Sequence, residues 1–224
     1  MRTLALIPAR GGSKGISRKN VRPFAGKPLI AWTVEVALQC RCFDDVVVST
    51  DDEEIAEVAR EYGARTPFMR PTALAQDDTP SIAPVLHALE QLPGLDALVL
   101  LQPTSPLRTV EDIHDCLVLA EERAANSVVS VTQTDTHPYW MYRLSSQQRL
   151  EALLEAPEVT RRQDMPPVYA LNGALYFART EWLLNARRLV AAESLAFVMP
   201  PSRSVDIDTP LDWKFAEMLL REQV

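Results

Sequence analysis

Four short apolar runs, Leu4 to Pro8, Asp45 to Thr50, Asp96 to Leu101 and Ser127 to Val131, alternate with stretches of helix length. Each run is too short for a helix, is rich in Val and Leu, and reads as a strand buried on both faces. Between them, Pro28 to Gln39, Asp51 to Tyr62, Thr79 to Gln91 and Thr109 to Arg123 carry helical patterns. Pro28 suits a first helical turn, Asp51 to Glu54 place acids at a helix N-terminus, and Gly63 suits a stop. Such alternation predicts the α/β class, with a doubly wound, mostly parallel sheet. A further short strand is expected near Thr66 to Met69.

The alternation breaks between Gln133 and Ala170, a polar stretch rich in Arg, Gln and Pro, with a strand-like piece at Trp140 to Leu144. This segment reads as an insertion, a β-rich arm. The regular pattern returns with a strand at Ala174 to Ala178 and a helix from Thr180 to about Arg188. A strand at Ala196 to Met199 and a last helix from Pro210 to Arg221 complete it. With 224 residues and a 47% hydrophobic fraction, the chain suits one domain, 1–224, carrying that arm.

Several function classes fall away. The N-terminal apolar run is too short for a signal peptide or a membrane span, so a cytoplasmic protein without membrane partners is expected. Cys40, Cys42 and Cys116 fit a reducing compartment better than a disulfide framework, and no Cys or His pairs suggest zinc. A net charge of −7 argues against nucleic acid as a partner, as does the scarcity of aromatics among the N-terminal bases, with only Phe24 and Trp32 near them. The charge is unevenly spread. Arg2, Arg10, Lys14, Arg18, Lys19, Arg22 and Lys27 all precede the first acid, Glu35, while the rest of the chain has 16 basic residues against 30 acidic ones. Three of the four lysines lie in this stretch, which points to a need for compact ammonium groups.

Three segments carry chemistry, and the first two stand at the carboxyl ends of strands, where ligands bind in sheets of this kind. The first is the loop Ala9 to Asn20, with Gly11, Gly12 and Gly15 among Arg10, Lys14, Arg18 and Lys19. Glycines let backbone N–H groups approach an anion, and the basic groups supply the opposite charge. Neither GxxxxGK[ST] nor GxGxxG is present, and a solvated basic loop is the other reading. The second is Gln102-Pro103-Thr104-Ser105-Pro106-Leu107-Arg108, whose prolines either stiffen a polar ligand loop or form a turn before a helix capped by Thr109. The third is Asp206-Ile207-Asp208-Thr209-Pro210. Its acids at i and i+2 point to one side of an extended segment and can meet one hard cation, unless Asp208 or Thr209 caps the last helix. Arg70-Pro71, Arg161-Arg162-Gln163-Asp164 and Asn172-Gly173 are weaker candidates.

Together these residues resemble the N-acylneuraminate cytidylyltransferases, the CMP-sialic acid synthetases. Ile7 to Ile16 with Arg18-Lys19-Asn20 resembles the family's nucleotide-binding signature, and the later motifs follow in the family's order. Ser17 departs from the proline of many members. The resemblance implies a Rossmann-like domain in which residues 133–170 form a dimerisation arm. It also implies a homodimer that couples CTP to a nonulosonic acid and releases pyrophosphate, with Mg2+ as cofactor. Arg10, Lys19 and Asp208 would be catalytic, and Gly12, Ser13, Asn20, Arg70 and Ser81 would join Arg10 and Lys19 around the nucleotide. Gln102, Arg162 and Asn172 would face the sugar, and Asp206 and Asp208 would hold metal. Legionaminic and pseudaminic acids are rival acceptors within the class. A catalytically silent nucleotide-binding regulator is the reading from another class, but its mark, loss of Lys19 or of an acid in Asp206-Ile207-Asp208, is missing.

Overall fold

The computed structural model describes residues 1–155, 161 and 165–222. Its strands, in chain order, are β1 (Thr3–Pro8), β2 (Pro23–Phe24), β3 (Lys27–Pro28), β4 (Asp45–Ser49) and β5 (Ala97–Leu100). They continue as β6 (Ser127–Gln133), β7 (Tyr142–Leu144), β8 (Leu150–Ala152), β9 (Tyr169–Arg179) and β10 (Leu195–Val198). The helices are α1 (Leu29–Cys40), α2 (Glu53–Glu61), α3 (Ile82–Gln91), α4 (Val110–Glu122), α5 (Thr180–Ala186) and α6 (Pro210–Glu222). The main sheet runs in the order β10-β6-β9-β5-β1-β4. β1 is parallel to β4 and β5, β6 is parallel to β10, and β9 is antiparallel to both β5 and β6. The expected α/β, mostly parallel sheet is present, with one reversed inner strand.

Alternation along β1 shows why the sheet is covered on both faces. Ala5 and Ile7 join a core with α1, α2 and α4, whereas Leu4 and Leu6 join one with α3 and α5. Each fully buried leucine or isoleucine contributes about 2 kcal/mol relative to exposure. A third cluster, around Ile16, Phe24, Leu29, Leu107, Ile207 and Trp213, pins the N-terminal loop against the segment before α6.

The strand expected at Thr66 to Met69 does not form. Arg65 makes an isolated bridge to Val47, and Pro67 then has no N–H to continue a ladder. Cys40 and Cys42, expected as free thiols, are joined in a disulfide at the end of α1. Cys116 is free and buried, and burial, with Asp112 adding to it, pushes its thiol up to about 12. No helix among the described residues is long and apolar enough to cross a membrane.

The inserted segment contains the β-hairpin β7–β8, in register Tyr142 with Ala152 and Leu144 with Leu150. Tyr142, Leu144, Leu150, Tyr169 and Leu171 are all exposed there. A two-stranded ribbon is marginally stable alone, so this apolar surface is one that another surface would stabilise by covering.

Candidate active site

The loop after β1 is shaped by close backbone approaches. Gly11 N–H donates to Asp51 Oδ1 at 3.0 Å, and a Cβ at Gly11 would lie 2.6 Å from Asp52 Oδ2. A Cβ at Gly15 would lie 2.1 Å from the Asp208 carbonyl oxygen. Asn20, buried, donates to the Arg10 carbonyl at 3.0 Å and so closes the loop on itself. Gly12 faces open space and does not line the cavity.

The basic run divides its labour. Arg18, in a left-handed conformation at φ 52°, ion-pairs with Asp52 and Glu54 at the start of α2. Its hydrogen bond holds the Asp52 carboxyl below the usual carboxylate range. Lys27 pairs with Glu35 and lies over the Trp32 ring, away from the cavity. Arg10, Lys14 and Lys19 remain at the cavity. Lys19 Nζ, largely buried, donates to the Ile207 carbonyl at 2.7 Å and to Asp208 Oδ1 at 2.9 Å.

The segment after β10 fulfils the period-two expectation. Ile207 is fully buried in the third core cluster, while Asp206 and Asp208 both line the cavity. Ile207 N–H donates to the Thr104 carbonyl at 2.8 Å, tying this segment to the loop after β5. Capping is done by Thr209, whose hydroxyl accepts from Asp212 N–H while its own N–H donates to the Asp212 carboxylate. Asp208 is thereby left for Lys19. Desolvation against the neighbouring loop pushes the Asp206 carboxyl above its ordinary value; nearby Asp208 adds to this, and a Thr104 hydrogen bond opposes it.

Asn172 and Gly173 form a bulge near the start of β9, where the pairing with β6 shifts register between Val129 and Val131. Gly173 has φ 74°, and a Cβ there would sit 2.6 Å from Gln102 Oε1. Asn172 is buried beneath the cavity rather than in its lining. Its oxygen accepts from Ser130 Oγ and Ala174 N–H, and its Nδ2 donates to Ser204 Oγ at 2.9 Å. It joins β6, β9 and the stretch before Asp206, and its carbonyl accepts from Ser105 Oγ in the loop after β5 at 3.4 Å.

Two buried arginines stand out: Arg108, whose role was not legible in the sequence, and Arg70, which the family resemblance had set beside the nucleotide. Arg108 reaches the Ala174 carbonyl, Thr33 Oγ1 and the Gln102 carbonyl, and full burial lowers its pKa to about 9, opposed by Asp112. Asp112 in turn receives Arg203 through two bonds of 2.7 and 2.9 Å. Arg70 is 5% exposed, lines the cavity, and has no hydrogen-bond partner for Nε or Nη2, with Asp51 Oδ1 3.6 Å from Nη2. Burial lowers its pKa and Asp51 opposes this. A buried guanidinium with free donors is poised for an acceptor from a ligand.

A single cavity of about 570 Å³ is therefore lined by Arg10, Ser13, Lys19, Asn20, Arg70, Ser81, Gln102, Asp206 and Asp208. It lies beyond the carboxyl ends of the parallel strands, as such sheets require. Arg162 lies outside the described residues. Lys14, Asp77 and Thr104 also line the cavity. Asp77 carried no signal in the sequence, because it sits in a loop whose only mark was its polarity.

A family model described as Cytidylyltransferase matches residues 4–221. The chain belongs to the cytidylyltransferase family. Over 227 residues this cytidylyltransferase is 38% identical to the CMP-N,N'-diacetyllegionaminic acid synthase of Legionella pneumophila, covering 98% of this chain and 97% of that protein. It is 35% identical to the pseudaminic acid cytidylyltransferase of Campylobacter jejuni, covering 99% and 97%. The N-acylneuraminate cytidylyltransferase of Escherichia coli is also 35% identical, over 96% of this chain but 52% of that longer protein. Among solved structures, CMP:2-keto-3-deoxy-manno-octonic acid synthetase complexed with CTP superposes with a TM-score of 0.76. It covers 100% of both chains at 17% identity, a likeness of fold. The chain is thus a nucleotidyltransferase enzyme by kinship.

Proposed function

We propose that this cytidylyltransferase couples CTP to a nonulosonic acid, forming the CMP-sugar and pyrophosphate. The observation that carries the reading is the meeting, in one cavity, of the Arg10 to Asn20 loop with Asp206 and Asp208, opposite Gln102. The names of the relatives, which include legionaminic, pseudaminic and N-acylneuraminate enzymes, support an acceptor of this class.

In this reading the anomeric hydroxyl oxygen attacks the α-phosphorus, the bond to the bridging oxygen of the β-phosphate breaks, and the hydroxyl proton passes to solvent. Arg10 and Lys19 offset charge on the departing pyrophosphate, and Ser13 and Asn20 shape its cradle. Arg70 supplies donors to the nucleotide from a dry wall, beside Ser81. Gln102 faces the sugar, with its Oε1 packed against the Gly173 bulge. Rate comes from positioning and charge rather than from a covalent enzyme intermediate.

Asp206 and Asp208 fit Mg2+ as a metal shared with substrate phosphates. No group of three or more His, Cys, Asp or Glu among the described residues could form an all-protein cage, and magnesium commonly takes only one or two carboxylates beside phosphate oxygens. When bound there, the ion neutralises phosphate charge and orients the reacting oxygens. The exposed apolar surface of the β7–β8 arm supports a homodimer in which a second copy covers it. The cytoplasm, where CTP is available, is the setting this reading implies.

A pyrophosphate-release assay with CTP and magnesium over a panel of nonulosonic acids tests the proposal. Release with one or more of them is expected, and the preferred acid identifies the acceptor. Absence of release with every acid would overturn the reading.

A further inference from the structure

Asp77 occupies a position in the cavity that its sequence did not advertise. One carboxylate oxygen lies 2.8 Å from Arg10 Nη2 and the other 2.7 Å from Lys14 Nζ. Two of the three cationic side chains that the loop after β1 delivers to the cavity are thus bridged by a single carboxylate. A hydrogen bond from Lys14, with the charges of Lys14 and Arg10, lowers that carboxyl below its ordinary value, so it stays anionic. The segment bearing Asp77 is tied down by short local bonds: Gln76 Nε2 to the Thr72 carbonyl, Thr79 N–H to the Gln76 carbonyl and Thr79 Oγ1 to the Ala73 carbonyl. A segment with such local support can shift at low cost without disturbing the sheet.

We infer that Asp77 is an internal anion that holds the polyphosphate subsite in the empty enzyme, leaves it when the nucleotide binds, and returns to favour pyrophosphate release. The inference rests on the CTP reading of the cavity given above. A carboxylate and a phosphate oxygen compete for the same donors on Arg10 and Lys14, and a polyphosphate brings more charge than the single carboxylate it replaces. Because Asp77 is tethered, its effective concentration at the subsite is high, so singly charged solvent anions compete poorly. Asp77 thereby sets the affinity of the site for the polyphosphate part of the substrate and for the leaving product, without touching the reacting atoms.

Calorimetric titration of the full chain with CTP, and separately with inorganic pyrophosphate, tests this, comparing wild type with Asp77→Asn, Asp77→Ser and Asp78→Asn. Asp78 is an exposed neighbouring acid, so its variant controls for a general change in charge. The Asp77 variants are expected to bind both ligands about three- to tenfold more tightly, the scale of one or two exposed ion pairs, with the gain shrinking in high salt. Asp78→Asn is expected to stay within about twofold of wild type. If wild type binds CTP but the Asp77 variants bind equally or more weakly, the placeholder role is overturned while the CTP reading stands. An equal gain in Asp78→Asn overturns it in the same way. If wild type binds neither CTP nor pyrophosphate, the CTP reading itself falls, and the role of Asp77 falls with it.

Discussion

Lys19 Nζ donates to the Asp208 carboxylate at 2.9 Å across 189 positions of sequence. This contact joins the basic N-terminal loop to the acidic segment before α6, and the Ile207 carbonyl fixes the ammonium between them. The buried cluster of Ile16 and Ile207 holds the two strips at that separation.

Replacing Lys19 by Met is therefore expected to lower kcat by about a hundredfold or more, with a smaller change in KM for CTP, since its charge matters most as pyrophosphate departs. Lys19→Arg should fail to restore the rate, because a planar fork does not fit the point between Ile207 and Asp208. Steady-state kinetics with far-ultraviolet circular dichroism as a fold control provides the check.

Glycine positions in the same loop should separate cleanly. Gly15→Ala places a methyl carbon 2.1 Å from the Asp208 carbonyl oxygen, so the loop or the acidic segment must move. Gly12→Ala meets nothing within 4 Å. Activity is expected to fall at least about tenfold in the first and stay within about twofold in the second, as a displacement of the catalytic groups dictates. Comparable activity in the two variants would contradict the close approach.

Arg70 carries the test of the nucleotide wall. Arg70→Met is expected to raise KM for CTP about ten- to hundredfold, the worth of hydrogen bonds to a charged group. The thermal midpoint should fall little, because Nε and Nη2 have no hydrogen-bond partner and the contact with Asp51 is long, at 3.6 Å. A large loss of stability would show that the guanidinium is a structural strut instead.

The Arg18–Asp52 pair predicts a pH dependence of stability. Arg18 holds the Asp52 carboxyl below 3.8 in the folded protein. That stabilisation is fully present above 3.8 and is lost as pH falls through the lower folded value. Arg18→Met should unfold at lower denaturant than wild type at neutral pH, and the two midpoints should converge as acidification carries the pH below 3.8 and through the lower folded value. A gap that persists at low pH would assign the effect of Arg18 to packing.

The strand–helix alternation, the Gly- and base-rich loop and the i, i+2 acids were legible because each is local. Buried strands show as apolar runs, an anion loop as composition, and two acids on one side as a spacing. Asn172 shows where locality ends. Its sequence context, before a glycine, admitted a turn or a ligand contact, and only the β9 bulge turns its amide inward onto Ser130 and Ser204. The reversed direction of β9 was equally hidden, since a buried strand has the same side-chain pattern in either direction.

The sequence by itself determined the α/β class, the position of the basic loop after β1 and the chemistry available to it. Tertiary structure decided which charges reach the cavity. Arg18 and Lys27 find acids elsewhere, Lys19 meets Asp208, Arg70 is buried with only a long contact to Asp51, and Asp77 comes to bridge Arg10 and Lys14. Charge pairing depends on distances of a few ångströms between residues far apart in the chain, and no local pattern encodes those distances.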